Sequence, residues 1–213
     1  LATEPRCMRF ADTFGEHTQM TIDMTKAYCD GFQTTKDGRD GWGEESVNTM
    51  VKHFPGGGMG EGGRDAHYAY GKYAVYPGDN FKEHLKPFRE GAFSLDGKTK
   101  KASAGMPYYT ISYGIDSKYG ENVGNSFNKY LIQDLLREEL GYDGVVCTDW
   151  GITHDIGEAE ETFAGKCWGV EKMTEAERHF KAIEAGVDQF GGNNNVEPVM
   201  EAYRMCCDKY GEE

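Results

Sequence analysis

The strongest candidate for chemistry is an aspartate that directly follows an apolar run. Asp149 and Trp150 stand at the end of the stretch GYDGVVCTDWG, residues 141–151. Ionised carboxylates are rarely buried unless they are paired, so we expect Asp149 to face a cleft, a cation or the N-terminus of a helix. It could serve catalysis or cap a segment that begins at Gly151, and the residue pattern favours neither. The indole of Trp150 could give a sugar an apolar face, or it could belong to the core.

Apolar periodicity and turn residues divide the chain into alternating strands and helices. Helices are predicted over residues 18–35, 79–93, 126–140, 174–186 and 197–211. Strands are predicted over residues 49–53, 101–110, 144–149 and 187–192. The run 144–149 does not alternate between apolar and polar residues, which is typical of a parallel strand that is covered on both faces.

Local signals set the ends of two of these helices. Asn125 and Ser126 are predicted to cap the clearest helix, and Gly141 is predicted to end it in the left-handed conformation. In the helix over 79–93, Pro87 is expected to cause a kink or an early end, because proline cannot donate a backbone hydrogen bond.

Four successive strand–helix repeats favour an α/β fold built from βαβ units around a parallel sheet. In barrels built this way, functional residues gather at the carboxyl ends of the strands. Those ends here carry Lys52-His53, residues 106–109, Asp149-Trp150 and Gln189-Phe190. Four units cannot close a barrel of eight strands. The other strands would therefore belong to another segment or partner, or the sheet stays open.

The bulk composition predicts one domain with neither a nucleic-acid partner nor a membrane segment. The chain has 213 residues, enough for one ordinary globular core. Its formal net charge is −13, from 36 acidic and 23 basic side chains, so it would repel a polyanion. No apolar run approaches the roughly 20 residues that a bilayer-spanning helix needs.

The cysteines and the glycine-rich stretches predict neither a metal site nor a cofactor. Six cysteines are scattered without CxxC spacing, so a zinc site or a disulfide framework is not indicated, and a cytoplasmic location is expected. The glycine-rich stretch that follows Pro55 lacks the lysine-serine ending of a phosphate-binding loop. The first residue is Leu1, which suggests a fragment or a processed piece.

Several motifs taken together resemble glycoside hydrolase family 3, which includes β-glucosidases and β-N-acetylglucosaminidases. They are EPRCMRFADTFGEH, KHFPGGG, DAH, MPYY, GYDGVVCTDWG and AIEAGVDQF, and they extend over nearly the whole chain in the family's order. The resemblance implies that residues 1–213 form the second half of a TIM-type (β/α)8 barrel. It also implies a retaining, exo-acting β-glycosidase of the β-glucosidase type, whose substrate is an oligosaccharide or another β-glycoside.

The same resemblance assigns roles to individual residues. Asp149 matches the family's nucleophile, and Tyr109 matches a tyrosine that would hydrogen-bond to it and lower its pKa. Lys52 and His53 match a pair that binds sugar hydroxyls, although such a pair taken alone is more often a solvated strand end. Arg9 matches a sugar-binding arginine, although by itself it could pair with Glu4 or Asp12 on the surface. Met106 and Trp150 would line the same subsite.

The proton donor has two candidate sources within this family. In one branch an Asp-x-His pair supplies it, and Asp65-Ala66-His67 has that form, with the aspartate holding the imidazole in the required tautomer. In the β-glucosidase branch the donor is a glutamate from another region. Two alternatives to a β-glucosidase follow: an inactive structural or carbohydrate-binding fragment that needs another segment, or a β-N-acetylglucosaminidase that uses the Asp-His pair. Expected partners are the missing barrel half and further domains, or copies of the same chain.

Overall fold

The computed structural model describes residues 1–58, 60–158 and 164–212, and their parallel strands and helices form an α/β fold. The strands are β1 (Met50–Phe54), β2 (Tyr73–Ala74), β3 (Ala104–Pro107), β4 (Ile111–Ser112) and β5 (Val145–Val146). The α-helices are α1 (Thr18–Gln33), α2 (Phe81–Lys86), α3 (Glu175–Ala185) and α4 (Val196–Tyr210). Two π-type helices span Pro87–Ala92 and Tyr130–Glu139. Short 3-10 helices span Phe10–Asp12, Glu61–Gly63, Ala69–Gly71, Pro77–Asp79 and Asn125–Phe127.

The main sheet contains three parallel strands in the order β1-β3-β5. Lys52 pairs with Met106, and Gly105 pairs with Val146, so the carboxyl ends of the three strands lie at one edge of the sheet. Each connection between neighbouring strands includes a helix, as the βαβ pattern predicts. A second small sheet pairs β2 with β4, also in parallel.

The core lies between the sheet and the helices that follow β3 and β5. Its largest fully buried side chains include Phe54, Leu131, Ile132, Leu136 and Trp168. Tyr142 is also buried, and its hydroxyl donates to the carbonyl of Ala102 at 3.0 Å, which joins the end of the π-type helix region to the start of β3. This packing fixes the position of β5 and of the residues that follow it.

Several sequence predictions are confirmed. Helix α1 begins at Thr18 as expected, and the predicted helices near 174–186 and 197–211 are α3 and α4. Gly186 ends α3 as predicted, with a left-handed φ of 106°; the capping box that Thr174 forms with Glu177 was not predicted. The predicted strands near 49–53 and 101–110 are β1 and β3.

Two predictions about the helix and strand near the end of the fold are wrong. The cap of the helix over 130–139 is not at Asn125 or Ser126, because the Asn128 side chain accepts the Leu131 amide at 2.9 Å. Gly141 does have the predicted left-handed φ of 63°. The segment 187–192 is not a strand; Gln189 makes only one isolated parallel bridge, with Cys147. Its two glycines pack against an indole instead of extending a strand.

The strand over 144–149 also differs from the prediction, whereas the helix over 79–93 changes at Pro87 as predicted. Helix α2 is regular only to Lys86, and π-type turns begin at Pro87, as expected for a residue that removes a backbone donor. Strand β5 has only two residues, and only one of its faces is covered. Val146 is buried, whereas Val145 is 42% exposed. The described helices include none that is long and apolar enough to cross a bilayer.

Candidate active site

Asp149 is a buried carboxylate immediately beyond β5. Its residue is 7% exposed, and its Oδ1 accepts the backbone N–H of Trp150 at 2.8 Å. Burial raises the pKa of the Asp149 carboxyl, while this N–H, the Tyr109 hydroxyl, His67 and Lys52 act in the opposite direction. The carboxylate does not cap a helix, because residues 150–153 form turns. Its Oδ2 has no hydrogen-bond partner within the described residues.

His53 faces Asp149 from the neighbouring end of β1. The His53 Nε2 lies 3.3 Å from Asp149 Oδ2, without the alignment of a hydrogen bond. Burial, with the nearby charges of Lys52 and Arg9, lowers the pKa of His53 to about 3. The imidazole is therefore neutral near pH 7 and can donate from one ring nitrogen. The Lys52-His53 and Phe54-Pro55 peptide bonds are both cis.

Tyr109 holds the backbone immediately after Asp149 in place. Its hydroxyl donates to the carbonyl of Trp150 at 2.9 Å, and burial raises the pKa of the phenol. The hydrogen bond predicted from Tyr109 to Asp149 goes to the Trp150 carbonyl instead. Tyr109 still acts to lower the pKa of Asp149, but the net shift is upward because desolvation outweighs it. Met106, three residues earlier, is buried beside Lys52 on the paired strand.

Trp150 presents an exposed ring beside the buried carboxylate. It is 53% exposed, so it does not belong to the core. Its indole packs on the backbone of Gly191 and Gly192, where an added Cβ would come within 2.6 Å and 2.5 Å of ring atoms. These two glycines were not predicted as site residues. Their signal in the sequence is the pair of glycines directly after the predicted strand end at Phe190.

The Asp65–His67 pair forms a compact unit close to Tyr109. The Asp65 Oδ1 lies 2.6 Å from His67 Nδ1 and also accepts the backbone N–H of His67 at 3.0 Å. The ring centroids of His67 and Tyr109 are 5.0 Å apart. The buried Trp168 indole donates to the carbonyl of Ala66 at 3.0 Å, which anchors the loop. Asp65 therefore orients an imidazole whose second nitrogen is available for other contacts.

A cavity of about 740 Å³ reaches the site from the side of β1 and α1. Arg9, Lys52, His53 and Tyr108 are among its lining residues. Arg9 also pairs with Asp12, as the surface interpretation predicted, with Nε 3.2 Å from Oδ2. Asp149 does not line this cavity and lies behind His53.

Two further residues near the site were given no role from the sequence, although Tyr108 lies within the predicted strand end at 106–109. The Tyr108 ring lies 4.4 Å from the His53 ring, measured between centroids, and so forms a wall beside it. Arg178 is buried in α3 and donates to the carbonyls of Thr153 and Val170 and to Asp155. It holds the turns that follow Asp149, and an arginine on an amphipathic helix carries no sequence signal for that role.

In this α/β domain, strand ends and the loop that follows β1 bring together a carboxylate, two imidazoles, two buried tyrosine rings and one exposed indole. The chain belongs to glycosyl hydrolase family 3: residues 1–202 match the family model described as "Glycosyl hydrolase family 3 N terminal domain". The expected resemblance is thereby confirmed.

Named relatives and solved structures agree with this assignment. The chain is 44% identical over 201 residues to "Probable beta-glucosidase C" of Aspergillus oryzae, covering 94% of this chain and 29% of that protein. It is 42% identical over 213 residues to "Periplasmic beta-glucosidase/beta-xylosidase" of Dickeya chrysanthemi, covering 95% and 31%. A glycoside hydrolase family 3 β-N-acetylglucosaminidase from Paenibacillus superposes with a TM-score of 0.72 at 23% identity, covering 100% of this chain and 35% of that one. That structural likeness shows the fold alone. The chain spans less than a third of the length of these two sequence relatives.

Proposed function

We propose that this chain is part of a retaining, exo-acting β-glycosidase of the β-glucosidase type, with Asp149 as the nucleophile. The observation that carries the proposal is the buried Asp149 carboxylate, placed at a strand end with its Oδ2 3.3 Å from a neutral imidazole. The sequence relatives named as β-glucosidases support the same substrate class. The substrate would be a terminal β-linked sugar.

In the proposed reaction, an oxygen of Asp149 attacks the anomeric carbon as the bond to the leaving oxygen breaks. A proton donor delivers its proton to that leaving oxygen. In the second step, water gives a proton back to that same donor group and attacks the anomeric carbon; the bond to Asp149 breaks, and the carboxylate leaves with its original charge. The Trp150 N–H stabilises the ionised form of Asp149, which must be present despite the upward shift of its pKa.

The other site residues would hold the sugar. His53 and Lys52 can donate to sugar hydroxyls because one is neutral with a ring N–H and the other is an ammonium group. Arg9 lies along the same cavity. Tyr109 positions the turn at Trp150, and Trp150 offers its exposed ring to the apolar face of the sugar. Met106 would fill the space beneath the subsite from within the sheet.

The proton donor defines a second candidate function. A glutamate from another region would serve a β-glucosidase, and this is the version we favour because the sequence relatives near 44% identity carry that name. The 2.6 Å Asp65–His67 contact favours the other version, in which His67 is the acid/base group, Asp65 orients it, and the enzyme is a β-N-acetylglucosaminidase. The contact of His67 with Tyr109 would bring it toward the same subsite.

We further propose that residues 1–213 form half of a (β/α)8 barrel and that the remaining strands cover the open side. In the described residues, β1 has β3 on one side and no strand on the other. Four apolar residues spaced by one turn on α1 are each between 45% and 57% exposed: Met20, Met24, Tyr28 and Phe32. We call these four residues the α1 stripe. An unpaired strand edge beside an apolar helix face favours association, with the other barrel half or with copies of this chain.

The test is hydrolysis of an aryl β-glucoside by the chain alone and by the chain supplied with the remaining barrel segment of the Dickeya chrysanthemi relative. We expect Asp149→Asn to lower kcat by about 10³-fold or more, because the amide cannot attack the anomeric carbon as the carboxylate does. The exposed Asp208→Asn on α4 is the matched control and should leave kcat unchanged. Full activity of the Asp149→Asn variant would contradict the proposal.

A companion variant separates the two proton donors. His67→Gln should abolish hydrolysis of an aryl N-acetylglucosaminide if His67 is the acid/base group. It should leave most of the β-glucosidase activity if an external glutamate serves. If the chain hydrolyses neither substrate, with or without the added barrel segment, the result would favour the inactive structural or carbohydrate-binding fragment.

The cellular location stays a prediction. The scattered cysteines, all six with free thiols, favour a reducing compartment and a cytoplasmic protein. One relative carries the word periplasmic in its name. Fractionation of the source cells would decide between the two locations.

A further inference from the structure

Two buried threonine hydroxyls lie on either side of Trp150 in the sequence and hold the same distant segment. Thr148 and Thr153 are both fully buried. The Oγ1 of Thr148 accepts the backbone N–H of Gly191 at 2.9 Å, and the Oγ1 of Thr153 accepts the side-chain N–H of Asn193 at 2.5 Å. We call the segment from Gly191 to Asn193 the indole support. Both of its ends are therefore fixed by hydroxyls that flank Trp150.

The Trp150 ring lies in close contact with the indole support. An added Cβ at Gly191 would come within 2.6 Å of a ring atom, and one at Gly192 within 2.5 Å. The backbone N–H of Gly151, directly after Trp150, donates to the carbonyl of Gly191 at 3.1 Å. The tryptophan is otherwise 53% exposed, so we expect a shift of the indole support to shift the ring with it.

A buried histidine sets the direction of the hydrogen bond at Asn193. Burial lowers the pKa of His179, so the imidazole is neutral near pH 7. Its Nδ1 lies 2.8 Å from the Glu175 carbonyl oxygen, which can only accept, so Nδ1 carries the proton. The Nε2 is then an acceptor for the Thr153 hydroxyl, 3.3 Å away. With its own proton used in this way, the Thr153 oxygen is left to accept from Asn193.

We propose that Thr148 and Thr153 are positioning residues that fix the Trp150 ring where the apolar face of a sugar can stack on it. The identity of the stacked ligand rests on the proposed function. Both hydroxyls act through the indole support. The Asp149 carboxylate accepts the Trp150 N–H and, within the described residues, no hydrogen bond from either threonine. The two hydroxyls therefore act on the wall of the site and not on the nucleophile.

The test follows the ring itself, in the full chain labelled with fluorotryptophan and observed by fluorine NMR. The chain has three tryptophans, and the resonance that disappears in Trp150→Phe belongs to Trp150. Thr153→Val keeps the shape of the side chain but leaves the Asn193 N–H without its acceptor. It should move the Trp150 resonance by more than a linewidth and leave the other two in place. Thr148→Val should move the same resonance, and Thr153→Ser, which keeps the hydroxyl, should not.

Thr99→Val is the matched control, because Thr99 is also buried and its Oγ1 accepts a side-chain amide N–H, from Gln33 at 3.2 Å. It should leave the Trp150 resonance unchanged. Asn193→Ala removes the bond to Thr153 from the other partner, so it decides the question if Thr153→Val does not fold. An unmoved Trp150 resonance in the folded variants, or an equal shift in Thr99→Val, would overturn the proposal.

A second readout relates the ring to the sugar. In the form of the chain that hydrolyses the aryl β-glucoside, Thr153→Val should raise KM roughly three- to tenfold, as the loss of one aromatic contact would. Because stacking is present in the bound substrate and in the transition state alike, kcat should change by less than about twofold. A fall in kcat with KM unchanged would contradict the assigned role. Failure of the proposed function would appear separately, as full hydrolysis by Asp149→Asn, and the fluorine spectra would still decide what positions the ring.

Discussion

The two sides of the sheet differ in how completely they are covered. On the side of β3 and β5, the helix Tyr130–Glu139 and α3 bury a continuous apolar core. On the side of β1, the strand and two residues of the α1 stripe, Tyr28 and Phe32, line a cavity of about 740 Å³. Each side contributes to the candidate site, Asp149 from the first and His53 from the second. The part of the candidate site that carries Asp149 is therefore closely packed, whereas the part that carries His53 lies beside an open surface.

The largest expected effect tests the packed side. Leu136 is 1% exposed in the core, and Leu136→Ala should lower the free energy of unfolding by about 2–5 kcal/mol, because it removes buried apolar surface and leaves a cavity. Urea denaturation of the chain would measure this change. A decrease in the free energy of unfolding of less than about 1 kcal/mol would contradict the close packing around Leu136.

The next largest effect is a loss of stability in acid, which is caused by a histidine beneath the N-terminal segment. Burial lowers the pKa of His84 from 6.5 to about 4, so between these values the unfolded chain binds more protons than the folded one. The free energy of unfolding should therefore fall by about 1–2 kcal/mol between pH 6.5 and pH 5 from this group alone. The difference between the chain and its His84→Gln variant, measured by urea denaturation across that range, isolates the contribution. An identical slope in both proteins would contradict it.

A smaller effect compares two helix caps. Thr174→Ala removes the hydrogen bond that the Thr174 hydroxyl accepts from the Glu177 N–H in the capping box of α3, and it should lower the free energy of unfolding by about 1 kcal/mol. Asn195, at the same position of α4, makes no side-chain capping bond, so Asn195→Ala is the matched control and should cost only a few tenths of that amount. Thermal denaturation of the two variants checks the difference, and equal losses would contradict it.

The smallest effect is expected on the open side. Met24 belongs to the α1 stripe and is exposed, so Met24→Ala should change the free energy of unfolding by less than about 0.5 kcal/mol. A loss comparable with that of Leu136→Ala would show that the stripe is covered in solution. Sedimentation of the same two proteins would then reveal whether a second copy provides the cover.

Much of the fold could be predicted from local patterns. The period of α1, the capping box of α3, and the glycines at 141 and 186 all act within one or two helical turns. The apolar run before Asp149 was enough to predict a strand that ends in a carboxylate. The resemblance in six separate motifs placed the chain in its family.

The errors arose where distant parts of the chain decide the local structure. The segment 187–192 has the composition of a strand, but Gly191 and Gly192 support the Trp150 ring, and only Gln189 pairs. Asn128 caps its helix because the 3-10 turn before it delays the start of the helix. The upward shift of the Asp149 pKa depends on burial, which the packing of separate segments produces and the residue types in a motif do not specify.

The order of strands and helices, the residue types at the strand ends and the membership of a family were determined by the sequence alone, because each depends on short patterns along the chain. Tertiary structure alone decided that His53 Nε2 and Asp149 Oδ2 lie 3.3 Å apart across 96 positions, that Trp150 is exposed, and that Thr148 and Thr153 hold the indole support. These contacts depend on how the helices pack the strands together, and packing sums many weak interactions between residues far apart in the sequence.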